Sequence, residues 1–143
     1  MFGVDAMGTE AAKKVTTYDA DGNENGFLIE LYKDGLKTVA YLTAASPGAF
    51  KGYHLHRVRA ARYICVRGRM KIILYVDGQR REHILDASEP QRLFIPPNVA
   101  TGLENIGNDE AWLVNYPDPP YDPSLKDEQV EYTQAELEAG VVK

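Results

Sequence analysis

The stretch RYICVRGRMKIILYVDG, residues 62–78, contains two β-type segments, each followed by a turn signal. Residues 62–66 and 69–76 are rich in Ile, Val and Tyr, which favour strands, and Arg67-Gly68 and Asp77-Gly78 favour turns. Further β-type runs occupy residues 27–32, 38–43, 53–58, 82–85, 92–95 and 111–116. No segment between them is long and periodic enough for a crossover helix, so the sequence predicts an all-β sandwich or barrel.

The composition predicts one folded domain. The chain has 143 residues, of which 44% are hydrophobic and 26% charged, and a domain of this size buries a core without disulfides. We expect a flexible arm over residues 1–17 and a single domain over residues 18–143. Cys65 is the only cysteine, and no apolar run is long enough for a secretion signal or a membrane span, which predicts a cytoplasmic protein that does not contact membranes.

The C-terminal part of the chain has a different pattern. Four prolines, at positions 117, 119, 120 and 123, predict an ordered irregular loop, because proline fixes φ and cannot donate to a sheet. After it, Thr133-Gln134-Ala135-Glu136 has the pattern of a capping box. This box predicts a short helix that ends at Gly140.

The charge of the chain is unevenly distributed. The net charge of −5 disfavours nucleic acid as a partner. Residues 51–71, however, contain no Asp or Glu and seven of the sixteen basic residues, namely Lys51, Arg57, Arg59, Arg62, Arg67, Arg69 and Lys71. A small anionic ligand is therefore compatible with the sequence.

His54 and His56 form an H-x-H pair inside a β-type run. Residues two apart in a strand project from the same face, so the two imidazoles point in the same direction. This pattern leaves three interpretations open from the residues alone: a metal site, an acid–base site, or an incidental pair on a surface.

Several motifs occur in the same order as in a known family. They are Asn23-Glu24-Asn25-Gly26-Phe27-Leu28-Ile29-Glu30, Pro47-Gly48-Ala49-Phe50-Lys51-Gly52-Tyr53-His54, Phe94-Ile95-Pro96-Pro97-Asn98-Val99-Ala100-Thr101-Gly102 and Tyr121-Asp122-Pro123. From about residue 19 to 130 the sequence resembles the dTDP-4-dehydrorhamnose 3,5-epimerase family, and its H-x-H spacing is also similar to that of dTDP-sugar 3,4-ketoisomerases. The resemblance implies a cupin jelly roll (double-stranded β-helix), a homodimer, and a dTDP-linked 4-keto-6-deoxy-hexose as substrate, with no metal or other cofactor.

The resemblance also implies roles for individual residues in catalysis. His54 matches the catalytic base of the family, and Tyr121 matches the tyrosine that acts as the acid. The family's enolate-stabilising lysine would fall near Ala61, so we expect Arg62 to replace it.

Four other residues are expected to bind the substrate. His56 shares a face with His54 and is expected to position the sugar or to act as the base of a ketoisomerase. Lys51 stands where the family has an arginine, and Lys51 and Arg59 are expected to contact the diphosphate. Glu30 matches a family glutamate near the nucleotide base.

The sequence also departs from the family at several positions. Asn25 replaces an arginine, Thr101 replaces a histidine of the sugar site, and no residue matches the carboxylate partner of the catalytic histidine. Metal-binding cupins have a glutamate where this chain has Ala60 and Ala61, and their third histidine would fall at Thr101, which disfavours a metal site. Two alternatives to an epimerase stay open: a non-catalytic cupin that binds a sugar or nucleotide sugar, and a metal-dependent cupin enzyme.

Overall fold

The computed structural model describes residues 13–34, 38–119 and 122–143. Over these residues the chain forms eleven strands and one helix. The strands are β1 (Lys14–Tyr18), β2 (Glu24–Asp34), β3 (Thr38–Ala45), β4 (Phe50–His56), β5 (Ala61–Arg67), β6 (Arg69–Val76), β7 (Gln79–Asp86), β8 (Arg92–Ile95), β9 (Ala100–Asn105), β10 (Ala111–Asn115) and β11 (Gln129–Glu131), and the helix is α1 (Gln134–Glu138).

The strands form two sheets with antiparallel pairing. A six-stranded sheet has the order β1-β2-β3-β10-β5-β8, and a five-stranded sheet has the order β11-β4-β9-β6-β7. The all-β jelly-roll prediction with a short C-terminal helix is confirmed. Strands β1 and β11 lie at one open end of this sandwich, and β7 and β8 lie at the other.

The N-terminal boundary of the fold differs from the prediction. Residues 14–17, expected to belong to a flexible arm, form most of β1, which pairs with β2 from Lys14 opposite Ile29 to Tyr18 opposite Glu24. Most of β1 is exposed, so it lacks the apolar–polar alternation that marks a strand, and its backbone pairing with β2 defines it instead. The rest of the expected arm, residues 1–12, lies outside the described residues.

Strands β9 and β11 were not predicted from the sequence either. β9 contains Gly102 and follows a Pro-Pro turn signal, which is a poor strand pattern. In the structure β9 is nevertheless a central strand, paired with both β4 and β6. Backbone pairing on two sides therefore outweighs the weak local propensity of this segment.

The main hydrophobic core lies between the two sheets. Alternate residues of β6 and β10 point into it, and its buried members are Ala45, Ala61, Cys65, Met70, Ile72, Leu74, Leu85, Ile95, Val99, Ala111 and Leu113. Cys65 is unpaired and buried, and its thiol donates to the carbonyl of Arg67 at 3.2 Å. Burial of these side chains supplies most of the driving force for closing the sandwich.

Helix α1 covers the opposite face of the five-stranded sheet. Its Leu137 packs against a second cluster that includes Tyr53, Tyr75 and Tyr132. The predicted capping box is confirmed: Thr133 Oγ1 accepts from the Glu136 N–H at 3.1 Å, and the Glu136 carboxylate accepts from the Thr133 N–H at 2.9 Å. At five residues, the helix found among the described residues is far too short to cross a membrane.

Candidate functional site

A cavity of about 920 Å³ opens between the sheets at the end formed by β1, β2, β4 and β11. Its volume is in the range of small-molecule sites. The polar side chains that line it include Asn25, Lys51, His54, His56 and Tyr63. A second depression of about 720 Å³ lies at the opposite end, beside β7 and β8, and His83 is part of its lining.

Strand β4 directs both histidines of the H-x-H pair into the cavity. His54 and His56 line it, whereas Tyr53, between Gly52 and His54, points to the other face and packs in the tyrosine cluster. Gly52 has φ +136°, and a Cβ at this position would lie 2.8 Å from the carbonyl oxygen of Thr101. Glycine at position 52 therefore permits the close approach of β4 to β9 beside His54.

His54 is half-exposed at the cavity wall and contacts β11. Its Nδ1 lies 3.3 Å from the amide Nε2 of Gln129 and 3.6 Å from the carboxylate Oε1 of Glu131. Burial lowers the pKa of His54, and the nearby carboxylate of Glu131 partly opposes this effect. His54 is consequently neutral at neutral pH and has a lone pair that can accept a proton.

His56 lies deeper and contacts a buried ion pair. Its Nδ1 is 3.0 Å from Nη2 of Arg59 and 3.3 Å from Oε1 of Glu128. Arg59 and Glu128 are 9% and 6% exposed, and Arg59 Nε donates to Glu128 Oε1 at 2.8 Å. Burial and the Arg59 charge lower the pKa of His56, while the hydrogen bond to Glu128 raises it, and the net shift is downward.

Glu128 is held ionised by the groups around it. Burial alone raises the pKa of Glu128, but its Oε2 accepts the backbone N–H groups of Arg59 at 3.0 Å and Val58 at 3.1 Å. With the Arg59 guanidinium these hydrogen bonds outweigh burial and lower the pKa of Glu128 to about 2. The ion pair therefore persists at all physiological pH values.

Lys51 provides a cation at the cavity wall. Its Nζ donates to Thr17 Oγ1 of β1 at 2.8 Å, and burial lowers the pKa of Lys51 to about 8. At pH 7 most of the lysine is still protonated. The charge predicted for phosphate binding is thus present in the cavity, supported by a strand that was expected to be part of the flexible arm.

Three uncharged polar side chains, Tyr63, Thr101 and Asn25, also line the cavity. Burial raises the pKa of Tyr63 to about 12, so its phenol is protonated. Thr101 pairs with His54 across β4 and β9, and its hydroxyl donates to the Val99 carbonyl at 3.3 Å. Asn25 is 8% exposed, and its Oδ1 has no hydrogen-bond partner among the described residues.

Arg62 does not reach the cavity, contrary to its expected role in enolate stabilisation. It lies on the outer face of the six-stranded sheet, 3.5 Å from the Asp118 carboxylate and 5.5 Å from the centre of the Phe94 ring. The physical reason is the alternation of β5, in which the next residue, Tyr63, points inward.

The structure does not confirm the expected roles of Glu30 and Tyr121. Glu30 is half-buried in β2 opposite Tyr41 and is not part of the cavity lining. Tyr121 lies outside the described residues, so its proposed role as the acid stays a prediction. Lys51, His54 and His56 line the cavity, whereas Arg59, expected to contact the diphosphate, is not part of the lining and is buried beside His56 in the ion pair with Glu128.

The basic stretch 51–71 does not form one anion-binding surface. Its later members pair with acids of other segments: Arg67 with Glu110, Arg69 with Asp86, and Lys71 with Glu82 and Glu104. Arg57 donates to the carbonyls of Asp127 and Lys143. Because the stretch spans β4, β5 and β6, strand alternation distributes its cations over several surfaces.

The partners that segment 128–131 supplies to the two histidines were not predicted from the sequence. Glu128, Gln129 and Glu131 come from the short segment at β11, which pairs with β4 so that Gln129 faces His56 and Glu131 faces His54 in register. A three-residue strand carries no periodic signal, and these residues are more than 70 positions away from the histidines. Within the described ranges, no three His, Cys, Asp or Glu side chains are arranged to hold a metal ion.

Comparison with known proteins relates this geometry to a family. A family model described as the polysaccharide biosynthesis C-terminal domain matches residues 21–129. The chain is 22% identical over 130 residues, covering 81% of the chain and 83% of the relative, to the probable low-salt glycan biosynthesis epimerase Agl13 of Haloferax volcanii.

Solved structures show the same fold. The capsular polysaccharide assembling protein CapF from Staphylococcus aureus superposes with a TM-score of 0.70 at 19% identity over 82% of this chain, which spans only 34% of CapF. ChmJ, a 3'-monoepimerase from Streptomyces bikiniensis solved with dTDP-quinovose, gives a TM-score of 0.61 at 15% identity, covering 91% of this chain and 72% of ChmJ. These similarities bear out the resemblance to epimerase-like cupins, and the chain belongs to the polysaccharide biosynthesis C-terminal domain family.

Proposed function

We propose that this protein is a nucleotide-sugar epimerase that acts on a dTDP-linked 4-keto-6-deoxy-hexose. The observation that carries the proposal is the pair of imidazoles, His54 and His56, in a cavity large enough for a sugar, each with an acidic partner. The epimerase names of Agl13 and ChmJ, and the dTDP-sugar in the ChmJ structure, support the reaction and the ligand class.

The reaction begins with removal of a proton next to the keto group. The carbonyl acidifies the neighbouring C–H, and an imidazole that is neutral at pH 7 is suited to accept that proton. We assign this role to His54, because the Glu131 carboxylate, 3.6 Å from its Nδ1, stabilises the imidazolium that forms. A base of this kind contributes about 10²–10⁴-fold to the rate.

A proton must return on the opposite face of the sugar ring. Tyr121 keeps this role on the basis of the family resemblance. Tyr63 is a second candidate, because it lines the cavity as a protonated phenol whose pKa burial raises to about 12. Comparing Tyr63→Phe with Tyr121→Phe will separate the two: the variant that lacks the acid retains proton removal but loses epimerised product.

The substrate is anchored by charge and by polar side chains. We expect Lys51, a cation in the cavity lining whose Nζ donates to Thr17 Oγ1, to contact a phosphate group of the nucleotide. A base, an acid and a hydrogen-bond donor to the enolate oxygen suffice for this chemistry, so the proposed reaction uses no cofactor. A cytoplasmic homodimer, as the family resemblance and the composition predict, is part of the proposal.

Deuterium exchange tests the proposal directly. The full chain is incubated in D₂O with a panel of nucleotide-linked 4-keto-6-deoxy-hexoses, and ring deuterium is measured by NMR or mass spectrometry. We expect exchange beside the keto group and a loss of about 10²–10⁴-fold in His54→Gln. His83→Gln is the matched control, because His83 lies on β7 at the opposite end. Absence of exchange across the panel, or equal rates in the two variants, would contradict the proposal.

A non-catalytic sugar-binding cupin is the second candidate function. It is favoured by Asn25 and Thr101, which line the cavity at the positions where the family resemblance implies an arginine and a histidine. For this function, dTDP or a dTDP-sugar raises the melting temperature while no deuterium enters the sugar.

A further inference from the structure

The partners of His56 differ in kind from those of His54. His54 Nδ1 faces the neutral carboxamide of Gln129, with Nε2 at 3.3 Å, and the exposed Glu131 carboxylate at 3.6 Å, and Gln129 Oε1 accepts from Arg59 Nη2 at 3.5 Å. His56 Nδ1 faces the guanidinium of Arg59 at 3.0 Å. A guanidinium has donors only, so Nδ1 of His56 must accept.

The charges around His56 lead to the same tautomer. A proton on Nδ1 would point at the Arg59 donor, and Oε1 of Glu128, 3.3 Å away, already accepts from Arg59 Nε at 2.8 Å. The other titratable group that acts on His56 is His54, whose charge would also oppose protonation. Because the charges of Arg59 and Glu128 balance, the neutral imidazole fits this site better than the imidazolium.

We propose that Arg59 is a positioning residue that holds His56 as the neutral imidazole with its proton on Nε2. His56 then offers an N–H to the cavity and serves as a hydrogen-bond donor, while His54 serves as the base. This assignment supplies the enolate-stabilising donor that Arg62, on the outer face, does not provide. The identity of the acceptor, the keto or enolate oxygen, rests on the proposed function, whereas the tautomer does not.

The tautomer is measurable on the unmodified protein without substrate. Full-length protein with ¹⁵N-labelled histidine is recorded in long-range ¹H–¹⁵N spectra at pH 7, with the His56 signals assigned by their absence in His56→Gln. We expect the His56 Nε2 shift to be that of a protonated nitrogen and the Nδ1 shift that of an unprotonated one. A proton on Nδ1, or an imidazolium at pH 7, overturns the proposal.

Variants of Arg59 test its causal role. In Arg59→Met the competing donor is gone, so His56 should move its proton to Nδ1 and donate to Glu128, with a higher histidine pKa. Arg59→Lys, which retains a donor-only cation, should restore the wild-type tautomer. Arg57→Met is the matched control, because Arg57 contacts only backbone carbonyls in the hydrogen bonds described above.

Four outcomes separate this proposal from the proposed function. If Arg59→Met does not fold, the wild-type spectrum still decides the tautomer. If the tautomer switches and deuterium exchange falls about 10²–10³-fold through kcat, the donor role is supported. If the tautomer switches but exchange is unchanged, the donor role is wrong. If no sugar exchanges at all, the proposed reaction fails and the tautomer assignment still stands.

Discussion

At both ends of the space between the sheets, alternate strand residues point inward, but the inward side chains are mostly apolar at one end and mostly polar at the other. Towards β7 and β8, inward residues such as Met70 and Ile72 are buried in the main core, which borders the depression of about 720 Å³ through Leu85. At the end near β1 and β11, inward residues such as His54, His56 and Lys51 leave an open cavity. The packed end supplies cohesion, which allows the open end to retain polar groups that do not stabilise the fold.

Asn25 and Lys51 show that the polar groups at the open end lower the stability of the folded state. Asn25 has a buried carboxamide oxygen without a hydrogen-bond partner among the described residues. Lys51 has an ammonium group whose pKa burial lowers to about 8. Each arrangement is unfavourable for folding alone. The contrast predicts that substitutions in the packed core reduce stability most, whereas substitutions of cavity-lining residues reduce it less and change binding, protonation or rate.

The largest expected effect on stability is at Leu113. It is 1% exposed at the centre of the core, and Leu113→Ala should lower the unfolding free energy by about 2.5–5 kcal/mol through lost burial and a new cavity. Leu28→Ala, at the cavity wall, is the matched control and should cost clearly less, because its side chain already borders open space. Urea unfolding measures both. Equal losses would show that the open end is as tightly packed as the core.

Glu128 should make stability depend on acidic pH. Its folded pKa of about 2 lies below the ordinary value of 4.5, so its contribution is fully present above pH 4.5 and is lost as the pH falls towards 2. The shift corresponds to about 3 kcal/mol. Glu128→Gln should remove this part of the acid sensitivity, whereas Glu131→Gln, whose side chain is 75% exposed, should not.

A direct titration of the wild-type protein tests the same group if Glu128→Gln does not fold. The ¹³C shift of the Glu128 carboxyl carbon should have its midpoint near pH 2. A midpoint near 4.5 would mean that the ion pair with Arg59 does not hold the carboxylate ionised.

Lys51→Met should increase stability while weakening ligand binding. The folded pKa of Lys51, about 8, is below the ordinary 10.5, so the folded state carries a penalty below pH 8 that disappears as the pH rises to 10.5. We expect Lys51→Met to be more stable at pH 7 by about 1–3 kcal/mol, with the difference closing at high pH. Thermal unfolding at several pH values measures it, with Lys126→Met, an exposed lysine, as the control. A less stable Lys51→Met would contradict the penalty.

Much of the fold was predictable because its signals are local. The runs that became β2 to β8 and β10, the capping box at Thr133 and the H-x-H pair are all features of neighbouring residues. β1, β9 and β11 were not predictable, because their pairing with distant strands defines them. The partners of the histidines were missed for the same reason: Glu128 meets His56 only after β11 has paired with β4.

Arg62 provides the smallest expected effect, because it is not part of the lining of the cavity in which its role was expected. The family resemblance implies an enolate-stabilising residue near Ala61, and Arg62 was expected to replace it. Because adjacent residues of a strand point to opposite sides, Arg62 lies on the face of β5 opposite to Ala61. Its side chain is 43% exposed and pairs with the exposed Asp118. Arg62→Gln should therefore change the unfolding free energy by less than about 0.5 kcal/mol and leave deuterium exchange unaltered. Tyr63→Phe, one residue further along and inside the cavity, is the matched comparison. A loss of exchange rate in Arg62→Gln but not in Tyr63→Phe would show that Arg62, and not Tyr63, faces the reaction site.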